Sequence, residues 1–156
     1  MNGAWLSVPA ASLALSLAAA NPDGAALTKL GLAGNWAVDC SQAISDANPN
    51  VIFDVSGGQA GDQAPQYIER GPNGAAGTAA LSGVRDLSNG QIAITFTIAD
   101  SMGGPSAKIV MNNVLIKDGN RFRFLEAKSS DGQATISGGV QKSNGQQTKW
   151  LQKCGG

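Results

Sequence analysis

The chain has 156 residues, a length suited to one domain, and its 11 basic residues balance 11 acidic ones. No global field draws it toward phosphate backbones, which argues against nucleic acid as a partner. Only 14% of residues are charged and 21 are glycine, a composition that favours many short strands joined by turns over a helical bundle.

In chain order, the first feature is an apolar and small-residue run from Val8 to Ala20. It is too short and too weakly hydrophobic to predict a transmembrane helix. Ala18-Ala19-Ala20 before Asn21 supplies a cleavage context, although no lysine or arginine precedes the run. Residues 1–20 therefore read as a secretory signal peptide or, if retained, an alanine-rich helix. Residues 21–31 read as a linker or partial helix, and residues 32–156 as the folded domain.

The first strand is expected over Asn35 to Cys40, with Trp36, Val38 and Cys40 on one side. "VIFDVS" follows, then a glycine-rich break and a short strand over Gln66 to Glu69. Thr78 to Leu87 forms the next strand, and Asn89-Gly90 signals a tight reversal. "QIAITFTIA" alternates cleanly, with Ile92, Ile94, Phe96 and Ile98 on one face. "AKIVMNNVLIK" places Val110, Val114 and Ile116 on one parity and Ile109 and Met111 on the other, suggesting a bulge near Asn112-Asn113. After "DGN" come "RFRFLEAKS", "QATISGGVQ" and "QTKWLQKC". The connections are too short for parallel crossovers. The pattern predicts an all-β, antiparallel up-and-down β-barrel of about eight strands, since closure removes exposed edges. A two-sheet sandwich is the alternative.

Cys40 and Cys154, the only cysteines, enclose nearly the whole strand region. In an oxidising compartment a bridge between them would tie the first strand to the last; two free thiols in a reducing compartment is the alternative. Trp36 and Trp150 each stand four residues before a cysteine, which places both at the expected closure. Antiparallel closure sets those tryptophans at different levels, whereas their matched spacing suits a parallel one.

"LAGNW", and within it Gly34-x-Trp36, resembles the first strand of lipocalin-type barrels, and is also similar to avidins and to small bacterial barrel inhibitors of secreted metalloproteases. The resemblance implies a lipocalin-like barrel in which Gly34 permits a tight start and Trp36 plugs one end. It also implies a basic residue over that indole, for which Lys149, Lys153 and Arg123 are the candidates. The several mid-chain tryptophans of biotin-binding barrels are missing between Trp36 and Trp150, so biotin is not carried over. An inhibitor would need a free N-terminal tail, for which "NPDGAALTKL" is the available segment.

The chain has no histidine, which removes imidazole-based triads and the common zinc sites. No phosphate-binding loop or dinucleotide fingerprint occurs. Asp46, Asn48, Asn50 and Asp54 echo a calcium loop, but Val51 stands where the sharp glycine turn belongs. Asp39, Asp54, Glu69 and Glu126 would form carboxylate pairs only if the fold gathered them. No metal, cofactor or catalytic group is expected. In "RFRF", inward phenylalanines leave Arg121 and Arg123 in solvent; the reverse parity sends both arginines inward to bind a carboxylate or phosphate.

These readings point to a secreted or periplasmic, non-enzymatic barrel that binds a small apolar or amphipathic molecule. The expected lining comprises Ile94, Phe96, Val110, Val114 and Phe124, with Tyr67, Asn112, Arg121 and Arg123 as polar partners. A protein-interaction module, such as a protease inhibitor or cell-envelope structural factor, is the alternative.

Overall fold

A computed structural model describes residues 21–56, 64–99 and 108–155. The leader expected over residues 1–20, the glycine-rich break after Ser56 and the turn after Ala99 lie outside them. One helix, α1 (Pro22–Lys29), precedes ten strands: β1 (Gly34–Ala37), β2 (Asn50–Asp54), β3 (Gln66–Gly71), β4 (Gly74–Ser88), β5 (Gln91–Ala99), β6 (Lys108–Asp118), β7 (Arg121–Ser129), β8 (Ala134–Ser137), β9 (Val140–Gln141) and β10 (Leu151–Cys154). Strands β1 to β7 pair antiparallel in sequence order, and β10 bridges β7 and β1. The result is a closed eight-stranded antiparallel barrel of the lipocalin-like class, not a sandwich.

The seam depends on divided use of β7. Its first residues pair with β10, Phe122 opposite Leu151, whereas Ala127 and Lys128 pair with β8. The stretch "QATISGGVQ", expected as one strand, is therefore a hairpin. Gly138 and Gly139 turn it with φ of 58° and 76°, a left-handed pair suited to a tight reversal.

Alternation sends one side chain in two to the interior. Trp36, Phe53, Leu81, Ile94, Leu115 and Phe122 are fully buried. An aromatic chain runs through the barrel, with ring centroids 4.9 Å apart for Trp36–Phe122, 5.5 Å for Phe53–Phe122, 5.6 Å for Phe53–Tyr67 and 4.8 Å for Tyr67–Phe96. Mostly edge-to-face geometry gives these pairs attraction beyond simple burial. The bulge expected in β6 near Asn112-Asn113 is absent from its β5 ladder, which runs unbroken from Gln91–Ile116 to Ala99–Lys108. The register shift lies on the β7 side, between Val114 and Leu115.

Residues 21–31 do more than link. Asn21 caps α1 by accepting from the Asp23 and Gly24 amides, and Pro22 occupies the first turn, where its missing N–H costs nothing. Gly31 follows the helix at φ 71°, and the Leu32 amide returns to the Leu27 carbonyl at 2.9 Å, which closes the helix C-terminus. Leu27 and Leu32 are fully buried, and Asp23 Oδ1 accepts from the Val84 amide at 2.8 Å. The segment is thus a plug over one barrel end rather than a free inhibitory tail.

Cys40 and Cys154 form a disulfide with Cα atoms 5.4 Å apart. Within the β1–β10 ladder, however, Cys154 opposes Asn35 and Lys153 opposes Trp36. Cys40 lies beyond β1, and the turn after Ala37 brings it back to the seam. The matched Trp/Cys spacing therefore implies no parallel closure. Trp36 points inward, whereas Trp150 stands outside.

Candidate functional site: the barrel mouth opposite α1

Strands β2 and β3 begin the site because their register puts Val51 opposite Glu69 and Phe53 opposite Tyr67. Since Val51 and Phe53 are buried, Tyr67 and Glu69 share the inward face. Phe124 of β7, Ile136 of β8 and Leu151 of β10 face them. The opening exists because β10 leaves β7 after Phe122, and the incoming segment is held away from it. Thr148 fixes that segment, donating its hydroxyl to the Phe124 carbonyl at 2.6 Å and its amide to the Gly139 carbonyl at 2.8 Å.

The parted wall leaves a cavity of about 280 Å³ whose floor includes Val51, Tyr67, Phe124 and Leu151. Asp46, Gln146, Gln147 and Lys149 surround it, and all four are exposed. The Tyr67 ring packs between Phe53 and Phe96 and lines the cavity. Burial first, and then the charge of Glu69, pushes the phenol pKa well above its ordinary value. Glu69 lines the same cavity, and the single ion pair among the described residues is elsewhere, between Arg121 and Asp118 at 2.8 Å.

Of the residues expected to bind a ligand, Tyr67 and Phe124 line this cavity, while Ile94 and Phe96 belong to the adjoining core. Val110, Asn112 and Val114 do not reach the interior. In β6 the inward positions are Met111, Asn113 and Leu115, with Asn113 and Leu115 buried. Asn112 and Val114 instead line a separate groove of about 430 Å³ on the outer wall, beside Arg85, Leu87 and Lys128. Phe122 is buried, and this parity puts Arg121 and Arg123 outside. Their guanidinium carbons lie 5.3 and 5.1 Å from the Trp150 ring centroid, an arrangement that secures the outer seam through cation–π attraction.

The closure residues divide by location. Gly34 adopts φ 116° at the start of β1, a conformation that a side chain disfavours. Trp36 donates its indole N–H to the Leu32 carbonyl at 2.8 Å. Lys153 Nζ sits 5.6 Å from the Trp36 ring centroid and donates to the Gly31 carbonyl at 3.2 Å. Lys149 serves the other end, donating to the Ala47 carbonyl at 2.8 Å.

The acidic residues remain dispersed. Asp39 and Asp54 accept from Ser41 and Ser56 respectively, and these hydrogen bonds hold both carboxyls below the usual range. Glu126 accepts from the Gly138 amide at 2.7 Å. Asn48 does not face a calcium cavity: its amide donates to the carbonyls of Asp39, Gln42 and Ala43, pinning the loop. Among the described residues no cluster of three metal-ligating acids or thiols occurs. Sequence reasoning had not placed Glu69, Val51, Ile136, Thr148 or Leu151 at a binding site. The available signal was Glu69 two residues after Tyr67, on the same strand face.

Comparison with known proteins finds no matching family model, no similar curated protein and no similar solved structure.

Proposed function

We propose that the protein is an exported, non-enzymatic barrel that holds one small amphipathic molecule in the mouth opposite α1. The observation carrying this reading is the cavity itself, in which Val51, Tyr67, Phe124 and Leu151 form an aromatic and aliphatic floor beneath a polar rim of Asp46, Gln146, Gln147 and Lys149. An apolar floor with a few convergent polar groups is the usual composition of a small-ligand site. The cavity, about 280 Å³, is near the lower end of the roughly 300–1,000 Å³ range of such sites. That size favours a compact molecule over a long-chain lipid. The Cys40–Cys154 bridge supports an oxidising compartment, either secreted or periplasmic.

Native mass spectrometry of protein recovered from its own compartment tests the reading. A bound small molecule is expected in the wild type and should be lost when Phe124→Trp fills the cavity. A bare wild-type mass, together with no thermal shift across compact amphipathic compounds, would overturn it.

A protein partner is the second reading, favoured by Ile44. This side chain is 41% exposed on the loop that Asn48 pins beside the mouth. A partner that copurifies with the wild type and is lost on Ile44→Asp would support this reading.

A further inference from the structure

The charges around the mouth have a definite sign. Asp46 and Glu69 line the cavity against one cation, Lys149. The Lys149 ammonium is engaged with the Ala47 carbonyl, and Arg121 and Arg123 stand outside around Trp150. No guanidinium therefore offsets Glu69 from within. On the floor, Tyr67 and Phe124 present aromatic rings with centroids 6.2 Å apart. Aromatic faces attract cations through their quadrupoles, and a carboxylate in a partly desolvated site favours a cationic hydrogen-bond donor.

We infer that the mouth selects a small organic amine, with its ammonium beside Glu69 and the Tyr67 oxygen and its apolar body on Phe124, Val51 and Leu151. This inference rests on the ligand-binding reading and adds the charge of the ligand. An ammonium supplies what the site lacks, because it donates to Glu69 and to the phenol oxygen simultaneously. A carboxylate would meet Glu69 and Asp46 as like charges, and a neutral molecule would leave Glu69 without a counter-ion. The raised Tyr67 pKa has the same physical origin, since burial and the Glu69 charge both oppose a second anion there.

Three probes of similar size and different charge, namely benzylamine, benzyl alcohol and benzoate, test this on the disulfide-bonded protein by isothermal titration calorimetry. Benzylamine is expected to bind about ten-fold more tightly than benzyl alcohol, and benzoate more weakly still. Glu69→Gln should remove that preference, so that benzylamine and benzyl alcohol bind the variant with equal affinity. A second measurement needs no variant: at neutral pH, where benzylamine is protonated, raising the salt concentration should weaken benzylamine binding and leave benzyl alcohol binding unchanged. Equal or tighter binding of benzyl alcohol or benzoate, or benzylamine binding that does not respond to salt, overturns the amine inference and leaves the cavity reading standing. If no probe binds, the amine inference falls. The cavity reading falls with it only when native spectra also show the bare protein.

Discussion

The two barrel ends use similar residues to different effect. Beneath α1, the Trp36 indole reaches the Leu32 carbonyl, Asp23 reaches the Val84 amide, and Lys153 lies over the Trp36 ring. At the mouth, Tyr67 belongs to the same aromatic chain, yet it and the neighbouring Glu69 line a cavity. Burial with partners supplied adds to stability, whereas a desolvated group without a partner carries a penalty that another molecule can remove. The plugged end therefore acts as the foundation and the parted end as the receptor.

Cutting the seam is the severest test of that foundation. Replacing both cysteines, as Cys40→Ser with Cys154→Ser, opens a closure spanning 114 residues and should cost about 4–5 kcal/mol of unfolding free energy by chain entropy. Urea titration of the variant and the oxidised wild type measures the difference, and a loss near zero would remove the bridge from the account of stability. Next in size, Trp36→Ala at the plugged end should cost about 3–5 kcal/mol, and Phe124→Ala about half that or less because Phe124 already borders empty space. Equal losses in the same titration would erase the distinction between the ends.

The smallest effect sharpens the comparison through pH. Tyr67→Phe should change stability by no more than about 1 kcal/mol at neutral pH, the size of one ordinary hydrogen bond or less. Above about pH 10 the difference should grow. The unfolded wild type then releases the phenolic proton, while the folded chain, with its raised pKa, retains it. Wild-type stability thus falls as pH rises through that region, and the phenylalanine variant should lack this component. Melting curves from neutral to alkaline pH check it; parallel profiles would mean Tyr67 is not desolvated.

Much of the wall was legible because alternation reports sidedness directly. Ile92, Ile94 and Phe96 enter the core as their pattern requires. Strand β6 was misread because Val110, Val114 and Ile116 are matched in number by Ile109, Met111 and Leu115, so hydrophobicity does not decide the parity, and the inward one also carries the polar Asn113. Local pattern could not show that Ala93 and Glu126 flank Val114 on the outer wall. The β8–β9 hairpin was hidden because its turn is only Gly138-Gly139 between two very short strands. The mouth was less legible still. It arises where β7 exchanges one partner for another, a tertiary event that no single segment encodes. Only Tyr67 and Phe124 among the expected ligand residues line it, because their side of the sheet could be inferred while the break in the wall could not.

The Cys40–Cys154 bond also turns most of the domain into a covalent macrocycle. One backbone scission anywhere between those residues would leave two polypeptides still joined covalently through the bond, with fresh ends at the cut. Under tension applied at the two termini, the bond would carry the load past the enclosed strands. Only the segments outside the ring, which on the N-terminal side include α1 and β1, would lengthen.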